Sequence, residues 1–157
     1  MKNALQLRKD GHLKESNERL LSLVKESPDD PQLNYQVAWS FDVLGLESEA
    51  VPFYEKSIAL GLKGEDLEGA LLGLGSTYRT LGKYEKSAET LVKGIELFPE
   101  NHAIKSFYAM TLYNLNRHQE AMELLLKSLA VTSNDKNIHR YKRAIEFYAD
   151  KLDEVWD

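Results

Sequence analysis

The stretch LGSTYRTLGKYEKSAETLVKGIELFP, residues 74–99, decides the reading of this chain. Leu74, Tyr78 and Leu81 recur at helical spacing, and so do Tyr84, Ala88, Leu91, Ile95 and Phe98. Gly82 separates the two patterns and Pro99 closes the second. Two apolar stripes of period 3.6 joined by a glycine predict a helix, a tight left-handed turn and a second, antiparallel helix. Leu67 and Leu71 extend the first stripe upstream. No segment shows the strict alternation of a half-buried strand, so the expected class is all-α.

Working outward, the turn position repeats. Gly11 and Gly45 lie 34 residues apart, Gly45 and Gly82 lie 37 apart, and Gly82 and Asn116 lie 34 apart. Asn is the residue other than Gly that best tolerates a left-handed backbone, so Asn116 fits the same role. Seven residues before the turn stand Ala4, Ala38, Gly75 and Ala109; five after it stand Ser16, Ala50, Ser87 and Ala121. All eight are small, as two helices in close approach require. Nine after the turn, Leu20, Tyr54, Leu91 and Leu125 fill the space beyond, and seventeen after it Pro28 and Pro99 end their helices while Leu62 and Ser133 replace them.

The register predicts nine helices, near 2–10, 13–26, 31–44, 47–60, 66–81, 84–97, 102–115, 118–131 and 136–155. Asp30 before Pro31, and Asn101 after Pro99, mark helix starts. The three extra residues of the third unit fall in the glycine-containing stretch 60–66, and Pro52 is expected near the start of its helix, with a kink if that helix begins early. Isolated helices of this length are marginal in water. The expectation is therefore one domain over 1–157, a right-handed α-α superhelix of about 3.5 repeats (1–30, 31–67, 68–101, 102–135) with a capping helix over 136–155. On that cap Ile138, Tyr141, Ile145, Tyr148, Leu152 and Val155 form one apolar seam.

Composition narrows the chemistry. With no Cys among 157 residues, a thiolate nucleophile, a Cys-based zinc site and a disulfide framework are all excluded, and a cytoplasmic location is expected. A formal net charge of −5 opposes general affinity for nucleic acid or anionic lipid. Residues 1–11 lack the apolar centre of a secretory signal, and uncharged stretches fall well short of the roughly 20 residues that span a bilayer. His12, His102, His118 and His139 include no pair three or four apart, so no metal site is expected. Gly69, Gly73 and Gly75 suggest a phosphate loop, but no Gly-Lys-Ser/Thr follows. Glu47, Glu49, Glu65, Asp66, Glu68, Glu85 and Glu89 sit at helix starts, where carboxylates favour the positive end of the dipole. His139, Arg140, Lys142 and Arg143 beside Tyr141 read as a solvated face of the end helix. No catalytic constellation emerges, and neither an enzyme nor a cofactor is expected.

The set Leu74-Gly75, Tyr78, Gly82, Tyr84, Leu91, Pro99, with Ala38, Phe41, Gly45, Ala50 and Tyr54 in the preceding unit, resembles the tetratricopeptide repeat. More narrowly, Tyr35 to Leu44, Gly64 to Glu85 and Phe107 to Leu115 resemble short tetratricopeptide proteins of Gram-positive bacteria whose biochemical role is unassigned. The first unit lacks most of its first helix, and Asn34, Leu71 and Lys105 stand where the family places Trp.

The resemblance implies that the first helix of each pair lines a concave surface. Its inward register picks out Gln32, Tyr35, Trp39 and Asp42 in the second unit, Ser76 and Arg79 in the third, Met110, Tyr113 and Asn114 in the fourth, and Arg140 in the end helix. Aromatic, Met and Arg side chains of this kind make interface hot spots. The equivalents of the Lys, Asn, Asn, Lys, Arg clamp that some family members use for acidic chaperone tails are mostly apolar, small or aromatic here. The expected function is a non-catalytic adaptor holding a protein or peptide segment. Two rivals remain: a homodimer or other self-association through the end helix, where Phe147 and Trp156 lie off the seam, and a small-molecule-binding or enzymatic protein.

Overall fold

Helical hairpins form wherever small residues let two helices touch. In the structure, a computed structural model that describes residues 1–156, Ala4, Ala38, Gly75 and Ala109 are buried against the helix that follows, as are Ser16, Ala50, Ser87 and Ala121 against the helix before. Where the second column holds serine, its hydroxyl donates to the carbonyl of the first: Ser16 Oγ to Ala4 O and Ser87 Oγ to Gly75 O, both at 2.7 Å. A bond from one helix's side chain to the next helix's backbone requires the axes to be close, which larger residues would prevent.

The described residues form α1 (Lys2–Lys9), α2 (Leu13–Glu26), α3 (Pro31–Asp42), α4 (Glu47–Ala59), α5 (Gly64–Thr80), α6 (Tyr84–Leu97), α7 (His102–Asn114), α8 (His118–Thr132) and α9 (Lys136–Tyr148), with no strand. Between the helices of a pair, Gly82 has φ of 71° and Asn116 takes the same left-handed turn at 60°, the one non-glycine residue described that does so. The hydrogen bonds agree: Lys83 N donates to Tyr78 O and Arg117 N to Leu112 O, each spanning the turn from the equivalent place. Asp30 and Asn101 cap α3 and α7 by accepting from Leu33 N and Ile104 N, both at 2.9 Å. Pro52 is the sixth residue of α4, inside the helix rather than in its first turn.

Each helix packs on its chain neighbours, and first helices also meet one another, α3 with α5 and α5 with α7. This pairwise stacking makes an all-α tetratricopeptide superhelix with α3, α5 and α7 along its inner side. The main core runs from Ala4 to Tyr78, with a small second cluster at Ala109, Leu112 and Ala121.

The core thins toward the C-terminal end. Leu20, Tyr54 and Leu91 are fully or nearly fully buried, yet Leu125, fourth in the same column, is 40% exposed. The reason lies in α9, which packs on α8 without joining α7 as α7 joins α5, and which buries no residue of its own. α9 ends at Tyr148, short of the expected 155. Asp150, Asp153 and Glu154 follow it, and negative charge opposes the dipole at a helix C-terminus. Leu152 and Val155, expected on its seam, are exposed beyond the helix.

Gly75 tests the hairpin contact. A Cβ there would fall well inside contact distance of the Leu91 branch point, and Leu91 is fully buried with nowhere to go. Overpacking costs about 1–3 kcal/mol, and alanine's better helix propensity returns about 1 kcal/mol. Gly75→Ala should therefore lower stability measured by urea unfolding; an unchanged or raised midpoint would show slack at this interface.

Candidate functional site

Two hollows lie along the inner side. The first, about 380 Å³, is lined by Tyr35, Trp39, Asp42 and Val43 of α3, Tyr54 of α4, and Gly69, Leu72, Gly73 and Ser76 of α5. Its shape depends on missing side chains: a Cβ on Gly69 would collide with the Tyr35 hydroxyl, and one on Gly73 with the Tyr54 ring. The glycines four apart on one helix thus serve the packing of two tyrosines. The Tyr35 and Trp39 rings stack at 6.0 Å, and Arg8 of α1 lies over Trp39 with its guanidinium carbon 3.8 Å from the ring centroid. Arg8 Nη2 donates to Gln36 Oε1 at 2.6 Å. One face of Trp39 is therefore covered from within, while the residue as a whole stays 41% exposed toward the hollow.

At the floor, Asp42 accepts from Tyr54 Oη at 2.5 Å and from Thr77 Oγ1 at 2.9 Å. Burial holds its carboxyl above the ordinary 3.8, the two hydrogen bonds partly counter that, and the Glu47 charge adds to the rise. Burial, with the Asp42 charge and hydrogen bond, likewise pushes the Tyr54 phenol far up. Asp42 is thus a brace between α3, α4 and α5.

The second hollow, about 500 Å³, is lined by Arg79 of α5, Ala109, Met110, Tyr113 and Asn114 of α7, and His118, Ala121, Met122 and Leu125 of α8. Arg79 Nη1 donates to Asn114 Oδ1 at 3.3 Å, while its Nε is buried without a partner. Tyr113 is 63% exposed with its ring 4.8 Å from His118. Ser76 at the first hollow and Arg79 at the second lie one turn apart on α5.

The structure thus gathers Tyr35, Trp39, Asp42 and Ser76 at one hollow and Arg79, Met110, Tyr113 and Asn114 at the other. Gln32 lies outside both, its side chain donating to Asp66 at 3.0 Å, and Arg140 lies on α9 with its guanidinium 5.7 Å from the Tyr141 ring. Sequence reasoning missed Arg8, Tyr54, Gly73, His118, Met122 and Leu125. The repeat column nine residues after the turn holds both Tyr54 and Leu125, and was the available signal for them. Nothing local marks Arg8, which reaches from α1 to Trp39 on α3, past the intervening α2 in the chain. Among the described residues no three His, Asp or Glu converge as a metal site would need, and no helix is long and apolar enough to cross a membrane.

A stacked series of helical hairpins with a continuous, partly aromatic inner surface defines an α-solenoid scaffold. The chain belongs to the tetratricopeptide repeat family, whose model, described as "Tetratrico peptide repeat", matches residues 31–152. It is similar to Superkiller protein 3 of Saccharomyces cerevisiae, 28% identical over a 96-residue alignment that covers 57% of this chain and 6% of that protein. The chain thus spans only a small part of that relative's length. Among solved structures it resembles a crystal structure of MamA, with a TM-score of 0.78 at 15% identity over 96% of this chain and 90% of the other. It also resembles MamA AMB-1, with a TM-score of 0.71 at 20% identity over 99% and 91%. These likenesses concern the fold.

Because folding favours the protonated form of Asp42, its contribution to stability falls as pH rises from 3.8 through the folded value. NMR titration of the Asp42 carboxyl should give a midpoint above 3.8. Tyr54→Phe removes a donor to the anion, so that midpoint should move further up and stability should fall by about 1–3 kcal/mol. A midpoint at or below 3.8, or a downward move in the variant, would contradict this account.

Proposed function

We propose that this protein is a non-catalytic interaction scaffold that holds a segment of another protein along its inner groove. The tetratricopeptide fold typically mediates protein–protein interaction, and its members are generally non-catalytic. The observation that carries the reading is the placing of exposed Trp39 on α3 and of Met110 and Tyr113 on α7, with Arg79 on α5 between them holding a buried nitrogen that nothing satisfies. Apolar side chains of a bound segment would cover the rings and the methionine. A carboxylate or backbone carbonyl would lie against the Arg79 guanidinium, where a charge-assisted hydrogen bond is stronger than a neutral one.

The same chemistry disfavours other ligand classes. Among the described residues that line the two hollows, Arg79 is the one Lys or Arg, too few for a phosphate backbone, and the net charge is −5. The reading assigns the protein a cytoplasmic site of action, in keeping with a chain that has no Cys.

Affinity capture from the native cell, followed by peptide mapping of the captured protein, supplies the segment. Trp39→Ala with Arg79→Ala should weaken its binding by at least about 30-fold, the equivalent of about 2 kcal/mol at a hot spot. Circular dichroism should remain that of the unaltered chain. Unchanged affinity in the folded double variant would overturn the groove as the binding site.

A further inference from the structure

The exposed apolar surface of this molecule is concentrated at one end. Of the 17 large apolar side chains exposed among the described residues, 12 lie between Met110 and Trp156, so the final hairpin and α9 present what the rest of the solenoid hides. α9 lays one side on α8, marked by half-buried Ile138 and Ile145 and by buried Ala149 just beyond. The neighbouring side carries Tyr141, Ala144 and Tyr148, spaced three and four apart and all exposed. Two aromatic residues thus flank a small one on a face no other helix covers. Phe147 and Trp156 extend the patch, the Trp156 ring lying 5.4 Å from Tyr148 and 6.3 Å from Phe147.

Charge along α9 is divided. Lys136, Arg140 and Arg143, in its first two-thirds, have no ion-pair partner among the described residues, and neither do Asp153 and Glu154 beyond its end. One end of the element is basic and the other acidic, with an aromatic and small-residue stripe between. Such a surface is complementary to itself when turned end for end, which is the requirement of a twofold, isologous interface.

We propose that α9 docks against α9 of a second copy of this chain, antiparallel, with Ala144 at the twofold axis. In that register Tyr141 of each copy lies opposite the other's Phe147, and Arg140 opposite Tyr148. The basic first turns of each α9 approach the segment beyond the other's C-terminus, which carries Asp153 and Glu154, so each basic end meets an acidic one. Ala144 lets the two helices approach as the small columns do inside each hairpin. The interface is independent of the inner groove proposed above, because it rests on neither Trp39 nor Arg79.

Sedimentation equilibrium on the full chain, from low micromolar to millimolar, reads the outcome. The unaltered protein should reach the mass of two chains. Ala144→Arg, on an exposed position where Arg is a good helix former, should bring it to the mass of one chain with unchanged circular dichroism and melting temperature at low micromolar concentration. Lys136→Glu with Arg140→Glu should weaken association at least tenfold, and adding Asp153→Lys with Glu154→Lys should restore it. A monomer throughout the range would overturn the proposal and leave the stripe to a different partner. A dimer indifferent to Ala144→Arg would place the interface elsewhere, and failure of the reversed charges to restore association would overturn the antiparallel register. The Trp39→Ala, Arg79→Ala chain should still reach two-chain mass, separating this test from that of the groove.

Discussion

The close approach of two helices at a pair of small residues is the contact on which the rest of this structure depends. Ala4 with Ser16, Ala38 with Ala50, Gly75 with Ser87 and Ala109 with Ala121 repeat it, and the serine hydroxyls fasten two of the four pairs to backbone carbonyls. Short helices gain little stability alone. Held this tightly they form hairpins, and hairpins of one shape stack in one direction, so a local steric condition becomes a superhelix. The left-handed turn at Gly82 and its Asn116 equivalent contributes by returning the chain at a fixed place relative to the small pair.

From that stacking the inner surface follows. Since α3 meets α5 and α5 meets α7, residues in one register on these helices share one side, and the two hollows open beside them with walls added by α4 and α8. Local sequence then tunes each space. Gly69 and Gly73 admit the tyrosines that wall the first, and Asp42 ties three helices together beneath it at the cost of a buried carboxylate. The second has apolar walls from α7 and α8 but only Arg79 on the other side. The same loss of a covering neighbour exposes Leu125 and the Tyr141, Ala144, Tyr148 stripe.

Much of this was legible in the residues. The turn column, the small columns and the caps at Asp30 and Asn101 each state a local steric or hydrogen-bonding need, and such needs can be read without coordinates. Helix ends were less legible. α9 stops at Tyr148 because acidic residues crowd its C-terminus, an effect that hydrophobic periodicity through Leu152 and Val155 conceals. The inward register named most of the groove, but Arg8 on Trp39 and the unpartnered Arg79 nitrogen depend on three-dimensional approach between distant segments. The pairing of Gly69 and Gly73 with Tyr35 and Tyr54 was hidden for a related reason: a glycine in a helix announces an absence, and only the neighbouring helix shows what uses the space.

If stability is held by nearest-neighbour hairpin contacts, it must be graded along the chain. Native-state hydrogen exchange on dilute protein, resolved residue by residue, measures that gradient. The account predicts the strongest protection in α3 to α6, where each helix is covered on both sides, falling through α7 and α8 to the weakest in α9. Equal protection from α3 through α9, lost in a single step, would contradict it.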